Sequence, residues 1–151
     1  LATIKGMPMF RRLLSSVALS LLLVAGAAQA GDGPSRSQRN KLVPTQEAYV
    51  AAVRWNDFDT AEGFIDPEYL KLQPITDLQR ERYRQVQVSS YRERSNSVAD
   101  DGSIERRVEV SVINRNTQAE RTVVVKERWR WDAEGKRWWQ AAGLPDLWQG
   151  Q

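Results

Sequence analysis

Two charged residues interrupt runs that otherwise alternate apolar with polar side chains. Arg106 lies between Ile104 and Val108, and Glu127 lies between Val125 and Trp129. A strand sends alternate side chains to one face, so both charges belong to the dry faces of their strands. With the connecting turn tipped at Asn116–Thr117, Val110 pairs with Val123, Val108 with Val125 and Arg106 with Glu127. A cross-strand charge pair contributes only about 0.2–1 kcal/mol, whereas either charge alone on a buried face costs several times that. Pairing on the helix side of the sheet is therefore expected, as a structural ion pair or as a polar pair that orients a ligand at a pocket mouth. Glu127 is the only acid to nominate for proton transfer. An adjacent Arg106 is expected to lower its pKa, which suits a fixed anion better than a general acid.

The tryptophans are the second constellation. Asp132–Lys136 has the chemistry of a type I turn closed by a left-handed Gly135. Placing Asp132 opposite Lys136 sets Trp129 opposite Trp139, puts Trp131 on the same inner face and sends Trp138 outward beside Arg130. Trp129, Trp131 and Trp139 then either fill the core or form a flat aromatic floor for a sugar, a cyclic ligand or a peptide. Trp138 with Arg128 and Arg130 makes a cation–π ladder on the outer face and a protein-contact patch.

Composition closes several chemistries. The chain has no His and no Cys, which excludes a thiol nucleophile, an imidazole base and a zinc site of the usual kind. No catalytic residue, metal or cofactor is assigned. Asp, Glu, Tyr, Lys and Ser remain as acid–base candidates. Arg80–Arg84 is charge-dense and reads as a solvated face.

The elements that position these residues follow an N-terminal address. Arg11–Arg12, the apolar run from Leu13 to Ala28 and Ala28-Gln29-Ala30 before Gly31 have the layout of a secretory signal peptide over residues 9–30, cleaved after Ala30. Residues 1–8 are read as upstream of the true start at Met9. The run is too short and too rich in small residues for a membrane span, so none is expected after cleavage. The expected location is periplasmic or secreted. Of the 22 Lys and Arg, three (Lys5, Arg11, Arg12) precede the cut, and none of the 19 Asp and Glu does, so the remainder balances to zero. Nucleic acid is accordingly not an expected partner. An exported chain without Cys must rely on its core alone.

Residues 31–41 read as a disordered leader and 42–148 as a single α+β domain. A first helix is expected from Thr45 to about Asn56, with Tyr49, Ala52, Val53 and Asn56 on one stripe and Ala48, Ala52 and Trp55 on another. Asp57 or Asp59 caps a short second helix, and Tyr69–Leu72 reads as a short strand. Thr76-Asp77-Leu78-Gln79 is a capping box opening a third helix. Val86–Arg94 (irregular at Ser89–Ser90), Ile104–Asn114, Arg121–Trp131 and Arg137–Ala142 form an antiparallel meander with one dry face, covered by the helices.

Helices followed by a curved meander, with Val53–Phe58, the capped third helix and the hairpin Glu127–Trp131/Arg137–Trp139, resemble the NTF2-like (cystatin-like cone) superfamily and its uncharacterised exported bacterial members. The resemblance implies a cone-shaped space between helices and sheet but no activity, since such a fold hosts many functions. The His-dependent dehydratase sites of some members are excluded by composition. The expected function is an exported, non-catalytic binding or accessory module of the bacterial envelope, with a small ligand in the cone or a protein partner on the sheet. Two alternatives stay open: a cofactor-free isomerase-like enzyme using carboxylate and Tyr acid–base chemistry, and a structural homodimer.

Overall fold

The computed structural model of the protein describes residues 33–149. The readings of residues 1–8, of the signal peptide at 9–30 and of Gly31 and Asp32 fall outside the described residues. Helices precede and pack against a four-stranded antiparallel sheet of order β1-β2-β3-β4, an α+β architecture. Among the described residues no helix is long and apolar enough to cross a membrane.

Helix α1 runs Arg36–Arg54 and so begins well before Thr45, inside the stretch read as a leader. Ser35 and Gln38 close a capping box there: the Ser35 hydroxyl accepts from the Gln38 amide, and the Gln38 side chain accepts from the Ser35 amide. Pro44, which reads as a boundary, lies inside the helix. An interior proline costs about 3 kcal/mol. Burial of Leu42, Gln46, Tyr49, Ala52 and Val53 on one face offsets it. Ala48 and Trp55 depart from the expected stripe: both are exposed, and Trp55, at the helix end, is 84% exposed.

Helix α2 (Phe58–Glu62) is capped by Asp57, whose carboxylate accepts from the Thr60 amide. The segment expected as a strand is instead helix α3 (Pro67–Leu72). Asp66 caps it and Pro67 takes the first turn, where a missing N–H is harmless, and this outweighs the strand propensity of Tyr69. Helix α4 (Asp77–Arg84) opens with the expected Thr76–Gln79 capping box.

Strands β1 (Val86–Val98), β2 (Ile104–Asn114), β3 (Glu120–Asp132) and β4 (Arg137–Gln140) form the meander. Val110 pairs with Val123, Val108 with Val125 and Arg106 with Glu127, the expected central register. The inner row of valines is buried against Tyr49, Ala52 and Val53 of α1. Asn56, at φ 58°, donates to the Val86 carbonyl at 2.6 Å and accepts from the Val88 amide at 3.0 Å, fixing the start of β1 to the helical layer.

The last hairpin corrects the expected register by one residue. Asp132 pairs with Arg137, Trp131 with Trp138 and Arg130 with Trp139, while Trp129 faces Gln140. The Asp132 carboxylate accepts from the amides of both Glu134 and Gly135 at 3.0 Å, and Lys136, not Gly135, takes the left-handed conformation (φ 50°). This side-chain-wrapped turn holds one residue more than the expected one. A one-residue slip turns every side chain over. Trp138 is therefore the inner residue, 1% exposed, with its indole donating to the Gln38 carbonyl of α1 at 2.8 Å. Trp139 lies on the outer face.

Candidate functional site

The sheet brings Arg106 and Glu127 together on its inner face, side by side across β2 and β3. Arg106 Nη1 stands 3.3 Å from Glu127 Oε2, with side-chain exposures of 8% and 1%. The Trp129 indole donates to the same Oε2 at 2.8 Å. Arg106 Nε donates to Glu93 Oε2 at 2.8 Å, so its guanidinium is shared between two acids. The Tyr49 ring packs edge-on against Trp129 at 5.4 Å and closes the cluster from the helix side.

Three polar atoms in this layer lack a hydrogen-bond partner: Glu127 Oε1, Arg106 Nη1 and Gln46 Nε2. Burial therefore dominates the ionisation of Glu127. Desolvation raises its pKa from 4.5 to about 7, and the Trp129 N–H pulls it only partly back. The expected lowering by Arg106 does not prevail, because that guanidinium engages Glu93 and offers Glu127 no hydrogen bond. Tyr49 is raised well above its ordinary value, first by burial and then by the nearby Glu127.

Glu93 and Tyr49 belong to this cluster but are absent from the sequence candidates. β1 shifts register between Val88 and Ser90. The extra residue moves the inward set from Val86 and Val88 to Tyr91 and Glu93. The irregularity at Ser89–Ser90 was legible; its effect on which residues turn inward was the missing step.

The other candidates divide between the faces. Trp129 is fully buried, and Trp131 packs edge-on against Trp138 at 5.5 Å with Lys41 Nζ 5.8 Å from its ring. Trp138 is thus removed from the proposed outer patch and Trp139 from the inner floor. On the outer face the Arg137 guanidinium lies 3.6 Å from the Trp139 ring, and the Trp139 indole donates to Asp132 at 3.3 Å. Arg130 donates to Asp66 at 2.7 Å, and Arg128 reaches Asp101 and Ser103, so neither stacks in the expected ladder with Trp138.

The outer face also carries a feature unlike its neighbours. Arg107 and Lys126 stand directly opposite each other, both exposed and neither within ion-pair distance of an acid among the described residues. Like charges in this position are destabilising. They line a hollow of about 320 Å³ with Ser95, Ser97, Glu105 and Arg128, and Arg106 and Glu127 also contribute to its lining. Among the described residues no group of acids, Cys or His has the grouping to hold a metal ion.

No protein-family model matches the sequence, and no curated protein matches it. Among solved structures, the chain is similar to a SEC-C motif containing protein from Rhodopseudomonas palustris, with 18% identity and a TM-score of 0.51 over 64% of this chain and 72% of that one. At that identity the likeness concerns the fold alone.

Proposed function

We propose that the protein is an exported, non-catalytic binding module of the bacterial envelope, of NTF2-like type, that engages a protein partner through the outer side of its sheet. The observation that carries this reading is the burial of the inner candidate side chains. The Glu127 side chain is 1% exposed and Trp129 is fully buried with Tyr49 of α1 packed edge-on against it, so neither offers its side chain to a ligand in this conformation. The uncompensated Arg107–Lys126 pair supports an outer, acidic contact, since charge complementarity favours encounter with such a surface. Element order, helices before a meander, supports the NTF2-like description.

The test is site-specific photo-crosslinking in the producing bacterium. A benzophenone side chain at Arg107 or Trp139 is expected to capture a discrete envelope protein, and one at Leu78 on α4 is not. Crosslinks only from α4, or a small molecule retained in native mass spectra of the purified protein, would overturn it. The mass of the exported chain is expected to correspond to a start at Gly31.

A second reading, a cofactor-free acid–base enzyme, is favoured by the raised pKa of Glu127 beside Tyr49. It requires the core to open, because that carboxylate is 1% exposed.

A further inference from the structure

Strand β4 covers only part of the free edge of β3. Its pairing runs from Asp132↔Arg137 to Trp129↔Gln140, and the last contact is the Ala141 amide donating to the Arg128 carbonyl at 2.7 Å. That contact fixes the phase of β3. Backbone groups of Arg128 point to the β4 side, so by the alternation of an antiparallel ladder those of Thr122, Val124 and Lys126 do too. Among the described residues nothing pairs with them there: the chain leaves the sheet after Ala141 and turns at Gly143, at φ 81°.

The edge borders a groove of about 610 Å³. Val124 and Lys126 form one wall. Leu144, Asp146 and Trp148 of the C-terminal segment form the other, with Tyr69 and Arg82 between. Val124 is 51% exposed, an apolar residue on an open edge where charge or proline is the usual protection. The Arg82 guanidinium lies 4.6 Å from the Trp148 ring and holds that wall in place.

We infer that this edge is a strand-addition site for an extended acidic segment of a partner protein. The inference rests on the proposed sheet-side binding role and names its chemistry. Free N–H and C=O groups of Thr122, Val124 and Lys126 supply the ladder, while alternate side chains of the segment meet either the Tyr69–Leu144–Trp148 wall or the basic side. In the groove Arg82 and Lys126 outnumber Asp146, and Arg107 stands opposite Lys126, which sets the sign of the segment. The second wall favours a single strand over a whole second sheet, because another copy of this chain must bring its own C-terminal segment against Leu144 and Trp148.

The probe is a blocked eight-residue peptide of alternating Val and Glu, titrated into the isotope-labelled protein and followed by amide shifts and tryptophan fluorescence. The expected result is saturable binding with shifts at Thr122, Val124 and Lys126. Binding by a Val/Lys peptide should be weaker by about tenfold or more, and a Val/Glu peptide N-methylated at alternate residues, on its edge-facing side, should not bind. Lys126→Glu, an exposed change, is expected to reverse the Glu-over-Lys preference. Absence of Val/Glu binding, shifts confined to other surfaces, or concentration-dependent self-association protecting the same amides (a second copy as occupant) overturns the inference. Failure here with crosslinks still obtained from Arg107 removes the strand-addition site and leaves the binding role; peptide binding without crosslinks does the reverse.

Discussion

At Glu127, burial and pairing act on the same carboxylate in opposite directions. Its partner Arg106 also serves Glu93, its Oε1 has no donor, and its side chain is 1% exposed. The neutral acid is the better-tolerated buried form, hence the rise from 4.5 to about 7. The folded value lies above the unfolded one. The stability linked to this proton is therefore fully present below pH 4.5 and is lost as pH climbs through about 7. The gap corresponds to about 3 kcal/mol at most. Urea midpoints of the wild type are expected to fall across that window, and those of Glu127→Gln to stay flatter. Parallel pH profiles for the two proteins would show that Arg106 keeps the carboxylate ionised after all. The pair itself was legible, because a charge in an alternating apolar row announces where it points. Its ionisation was not: alternation gives a direction for each side chain, not the number of layers packed over it or the claims of Glu93 on the shared guanidinium.

At the scale of elements, sequence signals succeeded where one local device decided the outcome. Thr76–Gln79 opens α4, and the β2–β3 register follows from two alternating rows meeting at a short turn. They failed where two devices competed. Pro44 reads as a helix boundary, but the capping box at Ser35 and the burial of Leu42 carry α1 through it. Gly135 reads as the left-handed turn residue, but the Asp132 carboxylate gathers the turn amides and passes that conformation to Lys136. The exchange of Trp138 and Trp139 is the direct result. Two glycines separate conformation from space. Gly102 and Gly143 both have positive φ, but a Cβ at Gly102 meets nothing within 4 Å, whereas one at Gly143 falls 2.6 Å from the Tyr69 ring. Gly102→Ala is expected to cost only the left-handed backbone penalty, about 1–2 kcal/mol. Gly143→Ala is expected to cost more and to displace the C-terminal segment, read as a change in the Trp148 fluorescence maximum on top of a larger loss in chemical denaturation. Equal losses for the two would mean that Tyr69 yields freely.

Across the whole molecule, a chain without cysteine closes its core with its own end. After β4 the chain crosses back beneath the sheet, and Leu147 is fully buried. Its carbonyl accepts from Arg121 Nε at 3.1 Å, and the Tyr83 hydroxyl donates to the Pro145 carbonyl at 2.8 Å. Tyr83 stacks on Phe58 at 4.2 Å and meets Trp148 edge-on at 4.9 Å, so the end of the chain, α4 and α2 share one aromatic cluster. The same segment forms the far wall of the β3 groove, so the piece that completes the core also shapes the open edge. This coupling separates two substitutions only a few residues apart in the fold. Leu147→Ala removes a fully buried side chain, and comparable core truncations cost about 2–5 kcal/mol. Lys126→Glu touches only the exposed wall and relieves its repulsion with Arg107, a gain of about 0.2–1 kcal/mol. Denaturation midpoints are therefore expected to move in opposite directions, down for Leu147→Ala and slightly up for Lys126→Glu, with the second effect fading as salt screens the charges. A salt-independent loss at Lys126→Glu would show that its side chain supports the fold, leaving the basic edge without a reason beyond stability.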